Sequence, residues 1–327
     1  MPNYNPDFEV HYSAFSFPTG VVAPNDKLVF TTNDLAHALF TTGRAPGDRN
    51  RYGKASTWEF LHRTALIPAY IRRRPYGALV RSRLAQELDR SEVVGLSYAL
   101  GMALTTIFCR KQLSVAHLLH IDRYSAQHQI QFNSPRKRAD LIGRAPNGWV
   151  IAEAKGRSRA AERALRTKLE QQKRSVSSIG GEAPWLALGC IASFPPQSDG
   201  IRVDAFDPSE QDEESVNYDG ITLDDYFLTY YLPFINAIDS GQRTDVGHTD
   251  VRVEAANLGP YGMTVGLVHT IADLTRRYLR RELTEYSERI QDALGEEAHF
   301  LDNMFADGTI LETNWSEEMR APDEWIE

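Results

Sequence analysis

Two apolar runs joined by a tight-turn signal constrain this chain more than any other feature. Residues 138–143 and 149–155 flank Ala145-Pro146-Asn147-Gly148. Pro-Asn-Gly between strand-like segments reads as an antiparallel hairpin. A helix, apolar nearly all round, is expected over about 91–109, with Ser91 as its N-cap. Strands are expected at about 114–122 and 128–132 ahead of the hairpin. An amphipathic helix over 158–179, starting at Ser158, follows it, and then strands at 186–194 and 201–206. Helix, strands, helix, strand is an α/β order with a mixed sheet.

The flanks are read more coarsely. Residues 1–43 suggest short strands and one short helix capped by Asn33. Residues 44–83 are turn-rich and basic, with ten Arg/Lys against Asp48 and Glu59. The aromatics Tyr52, Trp58, Phe60, Tyr70 and Tyr76 are interleaved with these cations. That mixture suits either a nucleic-acid strand or a solvated helical face. The loop-like stretch 207–219 is the expected boundary. Beyond it, 221–239 and 262–294 read as helices, with a short strand pair at 250–255 and 308–313. The expected organisation is a basic N-terminal extension (1–84), a core (85–206) and an acidic, mainly helical C-terminal region (207–327).

At 327 residues the chain has room for two average domains, or one large one with an insertion. Its 42% hydrophobic and 24% charged residues exclude a disordered or fibrous chain. No apolar run reads as membrane-spanning and no secretory pattern opens the sequence, so a cytoplasmic protein without a membrane partner is expected. Cys109 and Cys190 read as reduced core thiols. The net charge of −8 hides a split. Residues 1–207 carry 28 Lys/Arg against 18 Asp/Glu, and residues 208–327 carry 8 against 26. A basic front suits a polyanion; two ordinary faces of one protein fit equally well.

The hairpin carries the chemistry. Its first strand holds Asp140 in Arg138-Ala139-Asp140-Leu141-Ile142-Gly143, and its second holds Glu153 and Lys155 in Val150-Ile151-Ala152-Glu153-Ala154-Lys155-Gly156. With Pro146-Asn147 central in the turn, position 140 faces 153. With Asn147-Gly148 central, it faces 155. Both registers put the three charges on one face, whereas a three-residue loop would separate them. Two close carboxylates can share a divalent cation such as Mg²⁺, and a neighbouring Lys can orient a water and stabilise charge on phosphate.

Asp140 followed by Glu153-Ala154-Lys155 resembles the PD-(D/E)XK nuclease superfamily, with its restriction-endonuclease-like fold. The resemblance covers roughly residues 85–206. It implies a Mg²⁺-dependent phosphodiesterase acting on DNA, with Mn²⁺ as a substitute ion. Asp140 and Glu153 would be metal ligands, joined by the Ala154 carbonyl, and Lys155 the catalytic lysine. Ala139 stands where the family commonly has proline. Many members add an acidic residue on the helix before the core. Glu92 is the candidate here and Glu87 the second choice, although Glu92 at a helix start also favours the dipole. Some members place a Gln on the following helix. Gln172 occupies a core-facing slot in the seam Leu165, Leu169, Val176, Ile179, or else its partly exposed edge. The Gln-x-x-x-Tyr subfamily pattern fails, because position 176 is Val.

Residues 136–174 hold twelve Lys/Arg and four acidic residues, two of the latter being the expected ligands. Such cations position a polyanion without reading its sequence. His117 and His120 are expected on opposite faces of a strand, so they are poor joint ligands. There is no Walker A loop, dinucleotide fingerprint, zinc spacing or Gly-x-Ser-x-Gly elbow. The family analogy suggests restriction or anti-phage defence. The alternatives are a non-catalytic nucleic-acid-binding or assembly subunit on the same fold, and a nuclease that acts on RNA or needs an ATPase or helicase partner. The 262–294 segment offers a seam for a homodimer.

Overall fold

The computed structural model of this chain describes residues 8–43, 49–124, 139–159, 164–165, 176–194, 200–207, 216–218, 220–244, 251–297, 304–315 and 319. The chain opens with β1 (Phe8–Phe15), β2 (Asn25–Phe30) and α1 (Thr32–Thr41), followed by α2 (Arg49–Tyr52) and α3 (Ala55–Tyr70). A hairpin of β3 (Ile71–Arg73) and β4 (Leu79–Arg81) leads through α4 (Arg83–Glu87) into α5 (Arg90–Leu113). Next come β5 (Leu118–His120), α6 (Ile121–Tyr124), β6 (Leu141–Ala145) and β7 (Gly148–Arg157). Then follow β8 (Val176–Ile179), β9 (Leu186–Ser193), β10 (Arg202–Phe206) and β11 (Val216–Tyr218). The C-terminal part holds α7 (Leu223–Ile238), β12 (Gln242–Thr244), β13 (Val253–Leu258), β14 (Met263–Val268), α8 (His269–Leu279), α9 (Tyr286–Glu297) and β15 (Thr309–Thr313).

A seven-stranded mixed sheet runs in the order β2-β1-β10-β9-β7-β6-β5. β7 is parallel to β9 and antiparallel to β6, and β1 is parallel to β10. Helices flank this sheet, so the fold is mixed α/β. Two of the strands, β1 and β2, come from the stretch expected to be an extension. Their alternating burial explains their place: Phe8, Val10 and Tyr12 face inward while His11 faces out.

α5 packs across one sheet face. Ala152, Ala154 and Gly156 of β7 turn toward it, and a Cβ on Gly156 would fall 1.6 Å from the Ser97 carbonyl oxygen. Gly101 is matched to the same contact, since its Cβ would lie 2.5 Å from the Gly156 nitrogen. α5 is also the one described helix long and apolar enough to cross a membrane, a length the sequence reading missed; 72% of its apolar window is buried inside the protein. Cys109 on α5 and Cys190 on β9 are both free and buried, as expected.

Several boundaries differ from expectation, each for a local reason. α1 is capped by Thr31 and α5 by Asp89, two residues ahead of Asn33 and Ser91, because each begins a capping box with an acid three positions on. The turn-rich stretch 44–83 contains the 16-residue helix α3, with Pro68 in its last turn. The strand expected at 114–122 shortens to three residues, because Ile121–Tyr124 turns into α6. The strand expected at 128–132 lies outside the described residues. The helix expected to run to 179 does not, because Val176–Ile179 forms β8 and pairs in parallel with β11. The 262–294 helix is interrupted as well. Met263–Val268, rich in β-branched residues, is the second strand of a four-stranded sheet ordered β12-β13-β14-β15. The C-terminal part is therefore sheet and helix together. The strand pair expected at 250–255 and 308–313 flanks β14 instead of pairing with itself.

The two parts share one buried core and a polar seam. Nε2 of His37 on α1 lies 2.8 Å from Thr309 Oγ1 and 3.2 Å from Asp307 Oδ2. Arg110 reaches the other ring nitrogen at 2.7 Å. Tyr230 donates to Asp307, and Tyr231 bonds to both the Asp307 carbonyl and His117 Nε2. These bonds give most of the polar groups buried in the seam a partner, with Nη1 of Arg110 left over.

Candidate active site

The β6–β7 turn has Pro146 and Asn147 at its centre, with Ala145 paired to Gly148 and Leu141 to Ala152. One step further places Asp140 opposite Glu153, the first of the two expected registers. Asp140 is held from two sides. Its carbonyl accepts from Ile121 N–H at 2.9 Å, and its Oδ2 accepts from Ala154 N–H at 2.9 Å. Lys155 Nζ donates to Glu153 Oε1 at 2.6 Å and stands 3.8 Å from Asp140 Oδ2. One ammonium thus bridges two carboxylates on adjacent strands.

Burial controls the electrostatics. The Glu153 side chain is 1% exposed, Asp140 19% and Lys155 27%. Burial and then the neighbouring Asp140 charge push the Glu153 carboxyl up to about 8, against the pull of Lys155. Burial also raises Asp140, opposed by Lys155 and the Ala154 N–H. For Lys155, burial acts downward, and the two carboxylates outweigh it, so its affinity for the proton rises.

Among the described residues Glu153 Oε2 is buried with no hydrogen-bond partner. A proton shared with Asp140 or a bound cation would satisfy such an oxygen away from water. The donor set therefore fits a hard divalent ion such as Mg²⁺, which takes one or two carboxylates and keeps several waters. Among the described residues no group of three or more His, Cys, Asp and Glu is placed to hold a metal. Backbone and water oxygens would have to complete the shell around this pair.

The other candidates are placed differently. Glu92 sits exposed in the first turn of α5, where its Oε2 accepts from Asp89 N–H at 3.1 Å and closes the capping box. Tyr98, also on α5, bonds to His120 at 3.3 Å, a polar partner that reading the helix as apolar nearly all round does not supply. Gln172 and the cations Arg136, Lys137, Arg138, Arg163 and Arg166 lie outside the described residues. His117 and His120 do diverge, His117 toward Tyr231 and His120 toward Tyr98.

The opposite face of the sheet, which carries Glu153 and Lys155, is partly covered by Leu165 packed on Ile191 and Phe206. No protein-family model, no curated protein and no solved structure matches this chain.

Proposed function

We propose that this chain is a metal-dependent phosphodiesterase of the PD-(D/E)XK type that acts on DNA, its central sheet being a restriction-endonuclease-like core. The observation that carries the reading is the convergence of one buried and one half-buried carboxylate and a bridging lysine on one hairpin of an interior strand. Asp140 and Glu153 would hold Mg²⁺, or Mn²⁺ in its place, with the Ala154 carbonyl alongside. The bound ion would supply a Lewis acid that activates water and offsets phosphate charge.

The chain's own residues set the rest. The Ala154 N–H fixes the Asp140 carboxylate. Lys155 places a full positive charge beside the pair, where a phosphate oxygen would gain negative charge during attack. Its ammonium can turn from Glu153 toward that oxygen without leaving the site. Burial strengthens each of these interactions relative to water.

The test is a cleavage assay on supercoiled plasmid, linear duplex, single-stranded DNA and RNA, with Mg²⁺, with Mn²⁺ and with EDTA. Metal-dependent cutting that is lost in Lys155→Ala and Glu153→Ala supports the reading. DNA binding without cutting under any condition would overturn it in favour of a binding subunit.

A further inference from the structure

We infer that the face of the central sheet that carries Glu153 and Lys155 bears a track for a nucleic-acid backbone, running from the candidate site toward edge strand β2; this rests on the nuclease reading and gives it a substrate path. The track is one cross-strand row. Arg157 of β7 is opposite Ser193 of β9, Ser193 opposite Arg202 of β10, Arg202 opposite His11 of β1, and His11 opposite Lys27 of β2. Residues directly opposite one another share a face, and residues two apart on a strand share it too. The row therefore lies on the face of Glu153 and Lys155, two residues beyond Lys155.

Four of its five members are basic or imidazole side chains, and Arg157, Arg202, His11 and Lys27 are all exposed. Lys27 is paired with Glu9 at 2.6 Å. Arg157 and Arg202 make no ion pair among the described residues. A protein with net charge −8 thus presents two exposed guanidinium groups, without an ion pair among the described residues, in line beside Glu153 and Asp140. Four strand spacings make the row about 19 Å long. That is about the axial rise of five or six nucleotides of one strand. Guanidinium groups bind phosphate oxygens bidentately, and such contacts fix position without reading bases.

The β3–β4 hairpin stands at the same end of the sheet. Ala78 bridges to Glu9, and Ile201 N–H bonds to the Leu79 carbonyl, so β4 continues the line of β10 beyond Arg202. Its tip, Arg74-Pro75-Tyr76-Gly77, holds Tyr76 at 97% exposure. A base stacking on this ring would extend the track past the row of cations.

The experiment measures binding of a fluorescent 20-base-pair DNA duplex, and of the RNA duplex of the same sequence, by the full chain in EDTA across a salt series. The variants are Arg157→Ala/Arg202→Ala and, as a charge control on the distant strand β12, Arg243→Ala. The double variant is expected to bind at least tenfold more weakly, with the log–log salt slope reduced by about 1.8 for two lost phosphate contacts. Arg243→Ala is expected to bind as wild type does. A larger loss for one duplex identifies which backbone the track holds. Unchanged affinity and slope in the double variant, or an equal loss in Arg243→Ala, would overturn the track. The two readings fail separately: binding lost in the double variant of a chain that cuts nothing leaves the track and removes the nuclease, whereas metal-dependent cutting with unchanged binding does the reverse.

Discussion

Gly156 of β7 lies against Ser97 of α5 with backbone on backbone, leaving no room for even a methyl group between them. The contact sets how deep the strand sits under the helix, and Lys155 is the next residue back along that strand. Fixing the lysine's Cα this way leaves only its side-chain torsions to place the ammonium between Asp140 and Glu153.

Gly156→Ala is therefore expected to destabilise the chain by about 3 kcal/mol, the upper end of overpacking costs, because neither partner is a flexible side chain. Gly101→Ala, on the other side of the same contact, should cost a comparable amount. Urea unfolding of the metal-free protein measures both; a midpoint unchanged in Gly156→Ala would show that the strand can move away from the helix.

Glu153 gives stability a slope with pH. Its carboxyl is raised from 4.5 to about 8 in the folded chain, so between those values the folded state holds a proton that the unfolded state has released. Stability from this group is complete below about pH 4.5 and declines as pH rises toward 8, by up to about 1.4 kcal/mol per pH unit. Unfolding midpoints in EDTA should show this decline in wild type and a flatter profile in Glu153→Gln. Added Mg²⁺ should favour the ionised carboxyl, bind more tightly as pH rises toward 8, and release protons near pH 7, which calorimetry in two buffers would detect.

The polar seam has the opposite sign. Burial lowers His117 to about 4 and also depresses His37, so both are neutral when folded at pH 7. The unfolded chain takes up those protons first as pH falls below about 6.5. Stability from the pair is complete above that value and is lost in acid. Asp307 is held far below the ordinary carboxylate range, burial being outweighed by His37 and Arg110, and it adds a loss below about pH 3.8. Asp307→Ala should cost about 3–5 kcal/mol, because it strands Arg110 and Tyr230 in the interior. An unfolding midpoint flat between pH 6.5 and 4 in Glu153→Gln, where the opposing slope of Glu153 is removed, would contradict the histidine assignment.

Glu92 separates two roles in one experiment. Closing the α5 capping box is worth about 1 kcal/mol. Glu92→Ala is expected to lose that stability and keep the wild-type Mg²⁺ affinity. A tenfold weaker affinity would instead make Glu92 a ligand.

The site was legible because its geometry is local. Asp140 and Glu153 are separated by one two-residue turn, and strand alternation does the rest, so Pro146-Asn147 carried most of the information. α5 was legible from its apolar composition, although its cap was placed two residues late. What escaped depended on distant partners. Met263–Val268 is a strand because β13 and β15 flank it, and Val176–Ile179 because β11 pairs with it. Phe8–Phe15 belongs to the central sheet because Arg202–Phe206 lies beside it, nearly two hundred residues away along the chain. Tyr98 was read as one apolar position among many, since nothing in the sequence says which side of a buried helix meets His120.

The seam between His37 and Thr309 also sets an order of events during synthesis. α1 is buried almost throughout, and its polar groups find their partners near the far end of the chain: His37 on Asp307 and Thr309, and Asn33 on Thr313. A nascent chain emerging at an ordinary pace carries that helix unfinished until those residues leave the ribosome. Closure is then a long-range step, of the kind that folds slowly. The β6–β7 hairpin can form much earlier, in the middle of translation. Thr309, 272 positions after His37, seals a helix made near the start of that span.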